Sequence, residues 1–268
     1  MGPLRVIKGQ AYGNDFVLAQ LGSVTGDASA LARTLCDRHQ GIGADGLILY
    51  DLLGENARME LFNADGSPSE LSGNGLRCLA ALIAREQGLK SGGQIIIETD
   101  AGAKTLELLQ HEDQQYTFRA ALGPPENLRQ SAITVGATVV TASLLRIGNP
   151  QCVVLGSLPD WERFEELAPE LSRHATFPEG TNVEFAQIEA PDRVRILIWE
   201  RGVGPTMSSG TGASACAVAA AAHGGAAREI DVIAPGGTQR VAWREEGVFL
   251  TGWAQIVFEG EWLPQETL

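Results

Sequence analysis

Ser72-Gly73-Asn74-Gly75 and Ser209-Gly210-Thr211-Gly212 are the residues of this chain best placed to do chemistry. Each run opens onto an apolar stretch with helical spacing, LRCLAALIAREQ in the first case and ASACAVAAAAH in the second. A helix N-terminus presents unpaired backbone N–H groups and a partial positive charge, which suits a carboxylate or phosphate. Glycines on both sides of Asn74 and Thr211 let the backbone approach a ligand, and a side chain just before the first Gly lies where the helix dipole would stabilise an anion. Ordinary N-capping by Ser explains one such turn. Two at equivalent places of a duplicated chain ask for more. One group on each side of a small molecule can take a proton from one face of a stereocentre and supply one to the other.

The duplication is legible in the sequence. Phe62, Asn63, Pro68 and the first turn map onto Trp199, Glu200, Pro205 and the second at a shift of 137. Gly13-Asn14 maps onto Gly148-Asn149 at 135, as does Asp100-Ala101-Gly102 onto Pro235-Gly236-Gly237. These offsets predict two similar α+β halves, residues 1–118 and 119–256, with a final strand near 257–268 crossing back to the first.

Short β-branched or alternating runs predict strands at 6–8, 16–19, 47–52, 59–62 and 95–98 in the first half. The second half repeats the pattern at 146–147, 152–155, 183–188, 194–199, 230–233 and 248–250. Residues 28–38 have helical spacing, with Leu31, Leu35 and Cys36 on one side, and 161–171 read as a surface helix. The helix after Gly75 is apolar at Leu76, Leu79, Ala80 and Ile83, with Arg77, Arg85 and Glu86 as its charged positions and Gly88 as its stop. The helix after Gly212 has no polar face, which predicts burial all round.

The chain has 268 residues, 44% of them hydrophobic, enough for a sizeable core without metals or disulfides. A net charge of −13 argues against a nucleic acid or an anionic membrane as partner. The longest apolar run, Ala215 to Ala222, falls far short of the ~20 residues of a membrane span, and the start lacks a secretory signal. The cytoplasm is the expected location. Cys36, Cys78, Cys152 and Cys216 form no CxxC pair and read as buried small hydrophobes. No GxSxG surrounds either Ser, and His39, His111, His174 and His223 lie in no motif pairing them with Ser72 or Ser209, which disfavours a serine hydrolase.

Seven runs carry a resemblance: GNDFV (13–17), RHQGIGADGLI (38–48), NADGSPSELSGNGLRC (63–78), GNPQCVV (148–154), GTNVEF (180–185), ERGVGPTMSSGTGASACA (200–217) and PGG (235–237). Together, and in this order, they resemble diaminopimelate epimerase over essentially the whole chain. The resemblance implies two pseudo-symmetric halves, each a mixed sheet wrapped around a central helix, with the active site in a cleft between them. It implies interconversion of LL- and meso-diaminopimelate by two-base proton transfer at the α carbon, without pyridoxal phosphate, metal or other cofactor, in a homodimer. Asn63, Asn149, Asn182 and Arg201 match positions that bind the distal end of the substrate, with Asn14 in the same wall. The amides of Gly73, Asn74, Gly210 and Thr211 match those that hold the reacting carboxylate.

The catalytic positions depart from the family. Ser72 and Ser209 stand where the family carries Cys, and Gln151 where it carries His; Glu200, its acid beside the site, is retained. A thiol near a helix N-terminus can be part thiolate at neutral pH, whereas a Ser hydroxyl is a far weaker acid that the same dipole cannot bring into range. Three readings follow: Cys→Ser replacements in an epimerase, a relative with altered or lost chemistry, and an enzyme using another base. A racemase of another amino acid and a non-catalytic amino-acid-binding protein are the functional alternatives.

Overall fold

The computed structural model describes residues 2–263. Residues 121–251 form one compact unit, and the residues before and after them the other.

The first unit begins with β1 (Leu4–Ala11) and β2 (Asn14–Gln20), followed by α1 (Ala28–Cys36) and β3 (Gly46–Leu53). It continues through β4 (Asn56–Asn63), the short β5 (Pro68–Ser69) and α2 (Gly73–Gln87) to β6 (Gln94–Glu98), β7 (Lys104–Glu112) and β8 (Gln115–Gly123). Neighbours in sequence pair antiparallel, except where a helix intervenes: β2 lies parallel to β3 across α1, and β4 parallel to β6 across α2. A strand that must return parallel needs a crossover, and each helix is that crossover.

Residues 121–251 repeat this order after an added strand, β9 (Glu126–Val135), which pairs with β10 (Thr138–Ile147). The repeat runs β10, β11 (Asn149–Leu155), α3 (Trp161–Ser172), β12 (Asn182–Ala190), β13 (Arg193–Glu200) and β14 (Gly204–Thr206). It then passes through α4 (Gly210–His223) to β15 (Glu229–Ala234), β16 (Gly237–Arg244) and β17 (Gly247–Trp262). Here β11 is parallel to β12, and β13 to β15. The far part of β17 pairs antiparallel with β1.

The central helix of each unit is enclosed. Residues 74–84 of α2 are all buried, and in α4 only Thr211 interrupts burial between Gly210 and Ala220. Small residues make α4 thin enough to be packed on all sides by Ile147, Val153, Ile196, Ile198, Ile230, Val232, Val241 and Leu250. The outer helices cover the other sheet face: α1 buries Ala32, Leu35 and Cys36 against Val17, Leu47 and Leu49, and α3 buries Phe164 and Leu171 against Val183 and Phe185.

Three sequence expectations are corrected. Arg77 is buried, 1% exposed, rather than on a charged face. The helix at 28 stops at Cys36, because the Asp37 carboxylate accepts from the His39 and Gln40 amides and fixes a turn. Strands β7, β8, β9 and β16, and β10 before Arg146, were not legible; KTLELLQHE and ENLRQSAITV are polar runs in which few positions face a core.

Phe164 meets the Phe185 and Trp199 rings edge-on, with centroids 5.8 and 6.1 Å away. Phe164→Ala is expected to destabilise the protein by about 3–5 kcal/mol, measured by urea denaturation followed through tryptophan fluorescence.

Candidate functional site

Both Ser-Gly-Xaa-Gly runs are helix starts with the serine as N-cap. Ser72 has extended backbone (φ −130°, ψ 120°), and its Oγ accepts from the Gly75 amide at 3.1 Å. Ser209 repeats this (φ −137°, ψ 126°), accepting from the Gly212 amide at 3.2 Å. The helices therefore begin at Gly73 and Gly210, earlier than the apolar pattern alone indicates. Each serine oxygen satisfies one of the first-turn amides that a helix cannot satisfy itself.

In the first unit a polar chain leads away from the α2 turn. The Arg77 guanidinium donates to Asn74 Oδ1. Asn74 Nδ2 donates to Asn14 Oδ1 at 3.1 Å, and Asn14 Nδ2 to Asp45 Oδ2 at 2.7 Å. Arg38 closes the chain on Asp45 and Asp15, each at 2.7 Å. Arg77 also lies 5.7 Å from the centre of the Tyr12 ring. Burial pulls its affinity for a proton down, yet a guanidinium stays charged in proteins. Asn63 sits at the end of β4 in a turn where its Nδ2 donates to Ser67 Oγ at 2.9 Å.

In residues 121–251, Gln151 lies on β11 next to Asn182 on β12 in parallel register. Gln151 Nε2 donates to Asn149 Oδ1 at 2.6 Å, and Asn182 Oδ1 accepts from the Arg201 amide at 2.9 Å. Arg201 follows β13, and its Nη1 donates to the Glu179 carbonyl at 2.9 Å. Its side chain lines a cavity of about 590 Å³ with Arg173, Phe177, Trp199 and Val203. Gln239 Nε2 donates to Ser208 Oγ beside the α4 turn at 3.1 Å. Among the described residues, the histidine that meets a serine is His223, whose Nδ1 lies 2.9 Å from Ser143 Oγ, at the end of α4 opposite Ser209.

Sequence reasoning missed Glu184. It is fully buried on β12, and neither carboxylate oxygen has a hydrogen-bond partner among the described residues. Burial, and then the charge of Glu200, hold its proton affinity well above that of an ordinary glutamate, so the neutral acid is favoured. The signal was present: Asn182, Glu184 and Ala186 alternate onto the face of β12 that packs on α4, where an apolar residue belongs. All four cysteines are buried and free; burial pushes Cys36 and Cys78 up to about 12 and raises Cys152 and Cys216 as well. Among the described residues, no group of three or more His, Cys, Asp or Glu could hold a metal ion, and no helix is long and apolar enough to cross a membrane.

The chain matches the family profile described as diaminopimelate epimerase over residues 6–127 and 143–257. It is 39% identical to the diaminopimelate epimerase of Desulforudis audaxviator over 96% of this chain and 98% of that one. It is 37% identical to that of Desulfitobacterium hafniense over 96% and 97%. Among solved structures, a Bacillus anthracis phenazine biosynthesis protein of the PhzF family has a similar fold (TM-score 0.71, 16% identity, covering 98% of this chain and 100% of that one). A hydroxyproline epimerase from Agrobacterium vitis does too (TM-score 0.69, 15% identity, covering 97% and 91%).

Glu184 makes stability depend on pH. A carboxyl with a raised value in the folded state favours folding fully below its unfolded value of 4.5, and that contribution is lost as pH rises through the folded value. Glu184→Gln, which cannot ionise, is therefore expected to gain stability over the parent as pH rises from 4.5 toward 8. Urea denaturation of both proteins across that range checks it.

Proposed function

The chain belongs to the diaminopimelate epimerase family, and from that premise we propose that it binds diaminopimelate and acts at its α carbon by cofactor-independent proton transfer. Inversion needs one group to remove the α proton from one face and another to supply a proton to the opposite face. The reading gives these two places to Ser72 and Ser209. The Gly73, Asn74, Gly210 and Thr211 amides receive the reacting carboxylate. Asn14, Asn63, Asn149, Asn182 and Arg201 receive the distal amino acid, and Glu200 assists with a substrate ammonium. The observation that carries the reading is the recurrence of one serine-capped glycine turn at the head of a buried helix in each unit.

The residue types support binding more strongly than turnover. Arg201 offers a planar fork to a carboxylate, and Asn groups built to bond a polar substrate discriminate against one that leaves them unpaired. Ser72 and Ser209 lack the acidity that lets a thiol act as base at neutral pH, and Gln151 cannot titrate. The protein therefore binds its substrate and exchanges the α proton slowly, in the cytoplasm and as a homodimer.

Calorimetry is expected to show diaminopimelate binding in preference to histidine or proline; the reverse order would mark a racemase of another amino acid. Arg201→Ala is expected to weaken that binding at least about tenfold. The double variant Ser72→Cys, Ser209→Cys is expected to raise epimerisation by at least about 100-fold, the scale of a restored acid–base pair, read by NMR in deuterated water. A double variant that binds tightly and stays inert would instead identify an amino-acid-binding protein.

A further inference from the structure

Arg77 is enclosed in the first unit, and among the described residues no carboxylate pairs with it and its Nε has no hydrogen-bond partner. A charge taken out of water without a counter-ion is expensive to a fold. The β1–β2 turn and β17 make its niche. Tyr12 and Gly13 join the Ala11–Asn14 pair with φ of 57° and 83°, a two-residue turn whose first position ordinarily takes Asn, Asp or Gly. Tyr12 holds a left-handed backbone that a bulky residue rarely adopts, is 2% exposed, and turns its ring toward the Arg77 guanidinium. The Trp253 amide donates to the Tyr12 hydroxyl at 3.1 Å. A Cβ built on Gly252 would lie 3.2 Å from that hydroxyl and 3.3 Å from Arg77 Cζ, so glycine leaves the space both side chains use.

The enclosed guanidinium starts a directional chain. It donates to Asn74 Oδ1, Asn74 Nδ2 donates to Asn14 Oδ1, and Asn14 Nδ2 donates to Asp45 Oδ2. Arg38 donates to the other Asp45 oxygen at 2.7 Å. A guanidinium only donates and a carboxylate only accepts, so two amides strung between them have one arrangement in which every link bonds. Turning either amide over sets donor against donor at one link and acceptor against acceptor at the next. In residues 121–251 the offset of 137 puts Thr211 and Ser214 at the places of Asn74 and Arg77. There Ser214 Oγ donates to the Gly210 carbonyl at 2.8 Å and so serves its own helix.

We infer that Arg77 is a positioning residue for substrate recognition, fixing through Asn74 the orientation of the Asn14 side-chain amide. The inference rests on the proposed binding of diaminopimelate, in which the Asn74 amide meets the reacting carboxylate and Asn14 the distal amino acid. One chain then joins the groups that receive the two ends of the ligand. Its direction decides where Asn14 keeps a donor and where an acceptor for the substrate. Arg77 acts through Asn74 and does not itself meet the ligand.

Asp45, whose side chain is 41% exposed, reaches the same chain from its outer end. In Asp45→Asn, Arg38 holds the oxygen and the new NH2 group faces Asn14, which favours the reversed chain. Arg77→Met removes the donor that opposes reversal. The test is calorimetry with diaminopimelate on the parent, both single variants and the double variant, with NMR of the side-chain NH2 groups on the free proteins and urea denaturation to establish folding. Each single variant is expected to weaken binding by at least about tenfold. The double variant is expected to bind no more weakly than the worse single one, whereas independent effects would multiply to about 100-fold. The Asn14 NH2 signals are expected to move in Arg77→Met and the Asn74 signals in Asp45→Asn, each two hydrogen bonds from the substitution. Binding by Asp45→Asn or by folded Arg77→Met within about threefold of the parent, losses that multiply, or unmoved NH2 signals overturn the inference and leave the binding reading standing. If Arg77→Met does not fold, Asp45→Asn decides alone, by its affinity and its Asn74 signals. Failure of the parent to bind diaminopimelate overturns the proposed function itself.

Discussion

Each unit depends on a helix that has no solvent side. Once α2 and α4 are enclosed by sheet, their first amides can reach water only where the chain enters, and the entering residue must satisfy them. Ser72 and Ser209 do so by accepting from Gly75 and Gly212. The same packing bears on the glycines: a Cβ on Gly75 would sit 3.1 Å from Ile48 Cδ1 and one on Gly212 2.7 Å from Glu184 Oε1, so a side chain at the third helical residue would push these neighbours aside. A polar, glycine-lined helix end is therefore a structural consequence of central-helix burial, and such an end has the chemistry that suits an anion.

Serine meets the structural half of that task as well as cysteine would. A hydroxyl oxygen is a good acceptor for a capping N–H, so the caps form with ordinary geometry in both units. What serine lacks is acidity, and acidity has no bearing on the cap. Architecture and binding can persist while the proton chemistry is altered, because different properties of one side chain serve the two ends.

The units differ where a repeat should make them alike. Arg77 is linked through Asn74 and Asn14 to Asp45, so the α2 turn has a hydrogen-bonded polar chain behind it. Glu184, favoured as the neutral acid by its burial and by Glu200, gives the α4 turn a group that can change charge. A buried carboxyl with unpartnered oxygens is costly to a fold, and the equivalent strand position of the first unit holds Ile48.

The sequence by itself determined the duplication, the family, the α+β class, the two central helices with the burial of the second, and the identity of the capping turns. Each of these is a local pattern or a recurring offset, and apolar periodicity is set by the helix or strand that carries it. It did not determine β7 and β9, where few residues face a core, nor β8 and β16, nor the environment of Arg77 and Glu184. Arg77 looks like an exposed charge in a helical pattern, and Glu184 like an ordinary strand carboxylate. Only the tertiary structure decided that both lie behind helix heads, because burial of a charged side chain is fixed by what the rest of the fold packs around it. The electrostatic difference between two nearly identical turns is therefore a property of the packed fold, and the four-residue motifs do not contain it.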